Sequence, residues 1–462
     1  MPAPEKRPTP VLVTLMTACV AFALAQTLVV PALPALAKEY GASQSAVSWV
    51  LTGFLVSASI ATPIAGKLGD LYGKGRILTG VLALFSVGAV INALAPTIEV
   101  LIAGRVLQGV AGGVFPLAFG IVRDTFPRDQ VAGGLAMISA VFGIGAGIGL
   151  PLSGVIVDHI DLSWLFWISL FAAPVALLAH NLIPPSPPVD HTKVDWIGAA
   201  LLSAGLAAIL LAVSQSGEWG WGSPKTLGLL AGGLALISAF LAVEARVNEP
   251  LIDLDVLRKP SVAATNLTGF LVGMSMFASF LIFPQFAQAP ESTGYGFGLS
   301  VTAAGMVMMP TAIAQLAAGP IAAKLAVRIG FRAMLSFGTV LITLSFVINT
   351  LAHDHVWELV FAGILIGAGI TFAFAAMANL IVEAVPQSEV GIATGIKTVM
   401  RTVGGSFGAA AVTAILTAST IPPTENAYTM AFAFSAVTGM LGLIASRLVP
   451  RPPRMRLEPV TE

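Results

Sequence analysis

The sequence predicts an all-α integral membrane protein: two six-helix bundles plus two extra central helices, fourteen spans in all, with both termini cytoplasmic. Three observations predict it. Charge is scarce, apolar runs near twenty residues recur, and basic residues are partitioned between alternate loops. Of 462 residues, 56% are hydrophobic and 10% charged. A globule of this size in water needs more ionisable surface, so the solvent these runs face is lipid. Lys plus Arg and Asp plus Glu balance at 23 each, which leaves no basic excess for phosphates and argues against a nucleic-acid partner. The single cysteine, Cys19, excludes an internal disulfide and reads as a helix-packing residue.

The N-terminal MPAPEKRPTP is Pro-rich and basic, and the apolar run behind it continues without a small-residue cleavage site. That is a first span rather than a removed signal peptide. Charges, Pro and Gly clusters bound six spans near 11–34, 47–65, 77–95, 100–122, 133–157 and 164–183. The linker PPSPPVDHTKVD at 184–195 is too rich in proline for a helix. Two further spans follow near 196–216 and 226–244. In ARVNEPLIDLDVLRKP at 245–260, Leu251, Ile252, Leu254, Val256 and Leu257 alternate with charges, as in a short interfacial helix. A second set of six runs near 261–286, 299–323, 333–352, 356–378, 393–419 and 428–449. The domains are therefore 1–183, 184–260 and 261–449, with a cytoplasmic tail at 450–462.

Basic residues stay on the cytoplasmic side of short loops. Of the 23 Lys and Arg, only Lys38 and Lys225 fall in odd-numbered loops, and Arg105, Lys397 and Arg401 fall inside or at the edge of spans. All others lie in even-numbered loops or at the termini, a partition that a wrong span count would scramble. An internal repeat supports two halves: PIAGKLGDLYGKGR at 63–76 matches PIAAKLAVRIGFR at 320–332, each after the second span of its set. An even number of central spans leaves the halves parallel, the arrangement in which a site at mid-membrane between them is reached alternately from each side.

Several stretches carry chemistry. In GKLGDLYGKGR at 66–76, Gly66, Gly69 and Gly73 permit close helix approach and a tight turn, Asp70 offers a carboxylate to basic groups or helix N-termini, and Lys74 and Arg76 follow. Span 4 places Arg105 and Gln108 one turn apart and ends in Arg123 and Asp124, close to the Asp70 segment. A cation at the depth of Arg105 faces a cavity or a partner, or snorkels to the outer interface. Span 5 reads GIGAGIGLPLSG at 143–154, where Gly143 with Gly147 and Gly145 with Gly149 are spaced for close packing, Pro151 bends the helix and Gly154 follows. VGGSFG at 403–408 is its counterpart.

These stretches resemble the major facilitator superfamily, specifically its fourteen-span drug:proton antiporter branch, over nearly the whole chain. EPLIDLDVLRKP at 249–260 and GLSVTAAGMVMMP at 298–310 are similar to further stretches of that branch. The resemblance implies that the 66–76 segment latches the two halves on the cytoplasmic side in the outward-facing state. It also implies that the span 5 glycines and proline form the antiporter motif, and that protons are the coupling ion. One departure stands out. The branch carries a membrane-embedded Asp in helix 1, where this chain has LAQTLVVPALP at 24–34, with Ala25 in place of the Asp, Val30 in place of an Asn, and Gln26 as the neighbouring polar group.

The function expected is secondary active export of drugs, antibiotics or secondary metabolites by a monomer in a bacterial cytoplasmic membrane. The alternatives are an anion or metabolite importer on the same fold and a non-transporting sensor. No catalytic or nucleotide-binding motif occurs, and no cofactor is expected. His353 and His355 flank Asp354, but read as surface polar residues rather than a metal site. Lys397 and Arg401 lie four residues apart on one face of span 13, continued by Gly405 and Gly408. Lys397 is near enough to the cytoplasmic end to snorkel, whereas Arg401 lies deeper. Without a helix 1 carboxylate, this pair and Arg105 predict substrates that are neutral or anionic amphiphiles.

Overall fold

The computed structural model describes residues 8–184, 195–247, 254–386, 389–417 and 423–450. These residues form α-helices joined by short turns, with no strand among them. The first rod is broken in two, α1 (Pro8–Thr27) and α2 (Val29–Glu39). Pro31 has no N–H to give to the carbonyl of Thr27, so the chain hinges there. Ser43 accepts the N–H of Ala46 and starts α3 (Gln44–Tyr72). Gly73, at φ +100°, turns the chain directly into α4 (Lys74–Ala93). The next rod is α5 (Ile98–Gly109) and α6 (Val114–Thr125), joined by a 3₁₀ stretch Val110–Gly113. Then come α7 (Arg128–His159), α8 (Trp164–Trp167) and α9 (Ala172–Leu182).

Two central rods follow, α10 (Trp196–Ser214) and α12 (Pro224–Glu244), with the short α11 (Ser216–Trp219) between them. Another short helix, α13 (Leu254–Arg258), leads into α14 (Pro260–Gln288). The chain ends in α15 (Val301–Ile329), α16 (Phe331–Leu351), α17 (Val356–Ala384), α18 (Val390–Thr417) and α19 (Glu425–Arg447).

Thirteen helices among the described residues are long and apolar enough to cross a membrane. The expectation was fourteen. The expected fifth span falls in α7, a 32-residue helix that is not among the thirteen and for part of whose middle only the backbone is described. The helices also extend further than the apolar runs suggest. The segment expected as a loop at 66–76 is helical except at Gly73, because Asp70 and Lys74 carry their charges within the helices as a buried ion pair. Of the interfacial segment, only Leu254–Arg258 is seen as helix; Leu251 and Ile252, like most of the 184–195 linker and the 450–462 tail, lie outside the described residues.

Each half has its own core. Phe54, Phe85 and Phe115 are fully enclosed in the first, and Phe283, Phe346 and Phe432 in the second. The halves meet along two seams, α3 against α18 and α7 against α15. Of the two central rods, α10 packs on α3 and α18 at the first seam. α12 packs on α10 and leaves Leu227, Leu234 and Leu241 exposed, an apolar face suited to lipid. The repeat is visible in the backbone, since Gly73 and Gly330 close the second span of each half with φ of +100° and +78°.

Candidate functional site

At the end of the bundle that carries Asp70, the first seam is a buried charge cluster set against a helix terminus. Lys74 Nζ lies 3.0 Å from Asp70 Oδ1 and 2.9 Å from Asp124 Oδ2, all three side chains being almost fully buried. The Lys74 stem runs over Gly120, where a Cβ would come within 2.5 Å of Lys74 Cε. The Asp70 carboxylate faces the start of α18, including the backbone N–H of Ile392. That N–H is one of the orphan donors of a helix N-terminus, where a negative charge is stabilised. The approach needs glycine on both sides, because a Cβ on Gly66 would sit 2.5 Å from the carbonyl oxygen of Gly391. Arg123 supplies the complementary contact, its Nη2 donating at 3.1 Å to the carbonyl of Val385 just beyond α17. The acid thus meets the positive end of one helix of the second half, and the arginine meets the negative end of the helix before it. Arg76 is exposed and takes no part. In the repeat, Val327 stands where Asp70 does and is exposed, so only one half carries this cluster.

Of the places expected for Arg105, the structure shows a set of partners rather than a cavity or the outer interface. Its residue is 0% exposed, so it neither snorkels nor opens onto a cavity. Nε donates to the carbonyl of Val50 at 3.1 Å, and Nη1 to the carbonyl of Ala25 and to Gln108 Oε1, both at 3.0 Å. The guanidinium also lies 4.2 Å from the centre of the Phe54 ring. Gln108 Oε1 accepts in addition from Asn92 Nδ2 at 2.8 Å. Arg105 and Gln108 therefore hold α1, α3, α4 and α5 together within the first half. Ala25, which replaces the helix 1 acid, offers its backbone carbonyl to the cation. Gln26, beside it, is half-buried.

The α7 glycines pack helices. A Cβ on Gly145 would meet Ala23, and one on Gly149 would meet Thr27, both on α1, and Thr27 Oγ1 donates to the Gly145 carbonyl at 2.6 Å. Pro151 is buried within a helix that continues past it, and Gly154 abuts Thr302 of α15 across the second seam. The surroundings of Gly143 and Gly147 lie outside the described residues. In the second half, Gly404, Gly405 and Gly408 of α18 pack on Phe270, Phe277 and Met274 of α14, as the α7 glycines pack on α1.

Between the halves lies a narrow cavity with about 20 Å³ of free space, enough for one water, lined by Phe115, Phe119, Ser139, Phe374, Met377, Lys397, Thr398 and Arg401. Lys397 and Arg401 are each 6% exposed, so Lys397 does not snorkel either. Its Nζ sits 4.3 Å from the centre of the Phe119 ring, while the Arg401 guanidinium lies 5.3 Å from that of Phe374. Phe119 belongs to the first half and Phe374 to the second. Below the cavity, Gly395 presses on Pro63 and Gly391 on Gly66, so the Asp70 end of the seam closes it.

A model of the Major Facilitator Superfamily matches residues 15–247 and 265–462. The chain belongs to the Major Facilitator Superfamily. Among its relatives in this superfamily are the multidrug transporter protein MdtP of Bacillus subtilis, 28% identical over 86% of this chain and 73% of that protein, and the tetracenomycin C resistance and export protein of Streptomyces glaucescens, 27% identical over 90% and 77%. The chain spans 56% of the length of mycobacterial relatives that it matches at 29% identity. The crystal structure of the human organic anion transporter MFSD10 has the same fold, with a TM-score of 0.70 at 16% identity, covering 96% of this chain and 99% of that one.

Within this superfamily fold, sequence reasoning missed the aromatic half of the cavity. Phe119 and Phe374 look like ordinary apolar residues of spans 4 and 12, and Ser139 like a small packing residue. Only a polar residue amid an apolar run, as at Asn92, is a signal readable in advance. His353 contacts the Asn349 carbonyl at 2.8 Å and Glu425 at 3.3 Å, and His355 caps α17 with Glu358.

Proposed function

We propose that the chain is a secondary active exporter of amphipathic small molecules that works by alternating access, with fourteen spans, α7 being the fourteenth, and both termini in the cytoplasm of a bacterium. The observation that carries this reading is the narrow cavity between the halves, aromatic on both sides, with the tightly packed Asp70 end of the seam beneath it. Asp70, Lys74, Asp124 and Arg123, with Gly66, Gly69 and Gly73 allowing the close approach, act as the cytoplasmic latch. Substrate enters when that seam parts, and the α7–α15 seam at Gly154 opens on the other side. Lys397 and Arg401 favour neutral or anionic amphiphiles over cations. Arg105 and Gln108 support the first half from behind, and the α7 glycines let α7 slide on α1. The protein acts in the cytoplasmic membrane as a monomer, surrounded by lipid, and moves its substrate unchanged.

Everted vesicles test the direction. On energisation, an uncharged or anionic antibiotic should accumulate inside them, whereas ethidium should accumulate less. Energised loss of the compound instead supports import of an anion, the second reading that the cation pair favours. Topology is testable separately. With impermeant thiol reagents, Arg76→Cys should label only from the cytoplasm and Lys225→Cys only from outside, both residues being exposed. Labelling of Lys225→Cys from the cytoplasm overturns the fourteen-span arrangement.

A further inference from the structure

We propose that Gln315 and Thr311 of α15 form a second binding station, beside the cavity on the side away from Asp70, for a carbonyl, amide or hydroxyl group of an uncharged amphiphile. The inference rests on the reading that substrate leaves through the α7–α15 seam.

Both residues are enclosed, Gln315 at 1% and Thr311 at 8% exposure. Among the described residues, Gln315 Oε1, Gln315 Nε2 and Thr311 Oγ1 have no hydrogen-bond partner. Polar atoms buried this deeply are nearly always paired, so three unpaired on one helix face call for a physical reason. That face meets α17 at two glycines. A Cβ on Gly363 would strike Thr311 Oγ1, and one on Gly367 would lie 3.1 Å from Thr311 Cγ2 and 3.2 Å from Gln315 Cγ.

The neighbours fix the height of the pair along the seam. One turn further along α15, Gly319 packs on Ala140 of α7, next to Ser139 of the cavity. On α17, Thr371 donates to the Gln315 carbonyl at 3.2 Å, and Phe374 of the cavity lies in the following turn. In the other direction, about 20 Å back along α15 at 1.5 Å per residue, Thr302 abuts Gly154 and donates to Asp158 Oδ2 at 3.0 Å. α7 packs on both α15 and α17. Gln315 and Thr311 therefore lie between the cavity and the far end of the α7–α15 seam.

Helix packing does not require these polar groups. Counting back from the repeat at 63–76 and 320–332, Ala58 stands where Gln315 does and Phe54 where Thr311 does. The backbones make the same crossing in both halves, the Phe54 carbonyl against Gly109 and the Thr311 carbonyl against Gly367. The first half makes it with an alanine and a phenylalanine, so the amide and the hydroxyl serve something else.

A glutamine amide offers both donors and an acceptor, and a threonine hydroxyl can act as either. Left unpaired, these groups cost the closed seam free energy, and a substrate group that reaches them as the seam parts recovers the bonds. A site built this way discriminates against an analogue that lacks the group. The station thus selects for polar substituents, whereas the cavity beside it offers flat rings to an apolar body.

The test uses the full chain in lipid nanodiscs with chloramphenicol and cycloheximide, two uncharged compounds that carry hydroxyl and amide or imide groups. Gln315→Leu keeps the volume and removes both amide atoms, so Kd should rise about tenfold for each compound. Thr311→Val should weaken both in the same direction. The thermal midpoint of Gln315→Leu should stay level or rise, because a buried leucine costs less than an unpaired amide. An unchanged Kd in Gln315→Leu overturns the proposal, and so does a midpoint that falls along with the affinity, which marks Gln315 as a packing residue. Everted vesicles keep the two readings apart. If energised wild-type vesicles accumulate the compounds while Gln315→Leu binds them as wild type does, the station fails and the transport reading stands. If wild type neither binds nor transports either compound, both fail.

Discussion

Asp70→Asn should cut transport at least tenfold while leaving the protein inserted and expressed. The substitution preserves shape and removes one charge. Lys74 retains Asp124 at 2.9 Å, so the loss falls mainly on the contact with the α18 N-terminus. A carboxylate in a partly buried site of that kind stabilises by about 2 kcal/mol, which corresponds to about a thirtyfold change in the balance between closed and open seams. The variant should therefore populate the state with the Asp70 end open. Amide hydrogen exchange at the start of α18 should rise as the transport rate falls. Unchanged transport and unchanged exchange would remove Asp70 from the mechanism.

Arg105→Ala should have the largest effect on stability. It removes a buried cation that donates to two backbone carbonyls and to Gln108, and that lies against Phe54. Hydrogen bonds to a charged group contribute about 1.5–3 kcal/mol each, and stranding buried acceptors adds a desolvation cost. The thermal midpoint in detergent should drop by many degrees, with reduced yield. Arg105→Lys should not restore it, because a single ammonium cannot span Val50, Ala25 and Gln108 as the guanidinium fork does. A substrate-contact role predicts the reverse, an altered KM with an unchanged midpoint. Measuring both quantities decides between the two.

Most of the fold was legible because apolar runs bounded by charge carry the helical layout directly, and the repeat at 63–76 and 320–332 reveals the two halves. The charged cluster was legible too, since Asp70, Lys74 and Asp124 stand out in a chain with so few charges. What could not be read was partnership. Arg105 and Arg401 are equally buried cations in sequence terms, yet one is bound by carbonyls within its own half and the other lines the cavity. That distinction depends on which backbone carbonyls face inward, and a residue pattern does not encode it. The aromatic lining was hidden for a related reason, as nothing marks Phe119 apart from other span phenylalanines until packing sets a lysine above it. The loop expected at 66–76 proved helical because spans were bounded at charges, and here the charges are buried as a pair that the helices can hold.

The rings between Arg105 and the cavity form a continuous file. Phe54 lies under Arg105, Phe22 stacks on Phe54 with centroids 5.4 Å apart, Phe115 meets Phe22 at 6.1 Å, and Phe119 meets Phe115 at 6.2 Å, ending beneath Lys397. A phenyl ring has no lone pair to accept a hop and no acidic hydrogen to pass on. The file is therefore an insulator: the two cations are joined by packed rings that refuse passage to protons. Whatever reaches Lys397 comes through the cavity itself and not along the rings from Arg105.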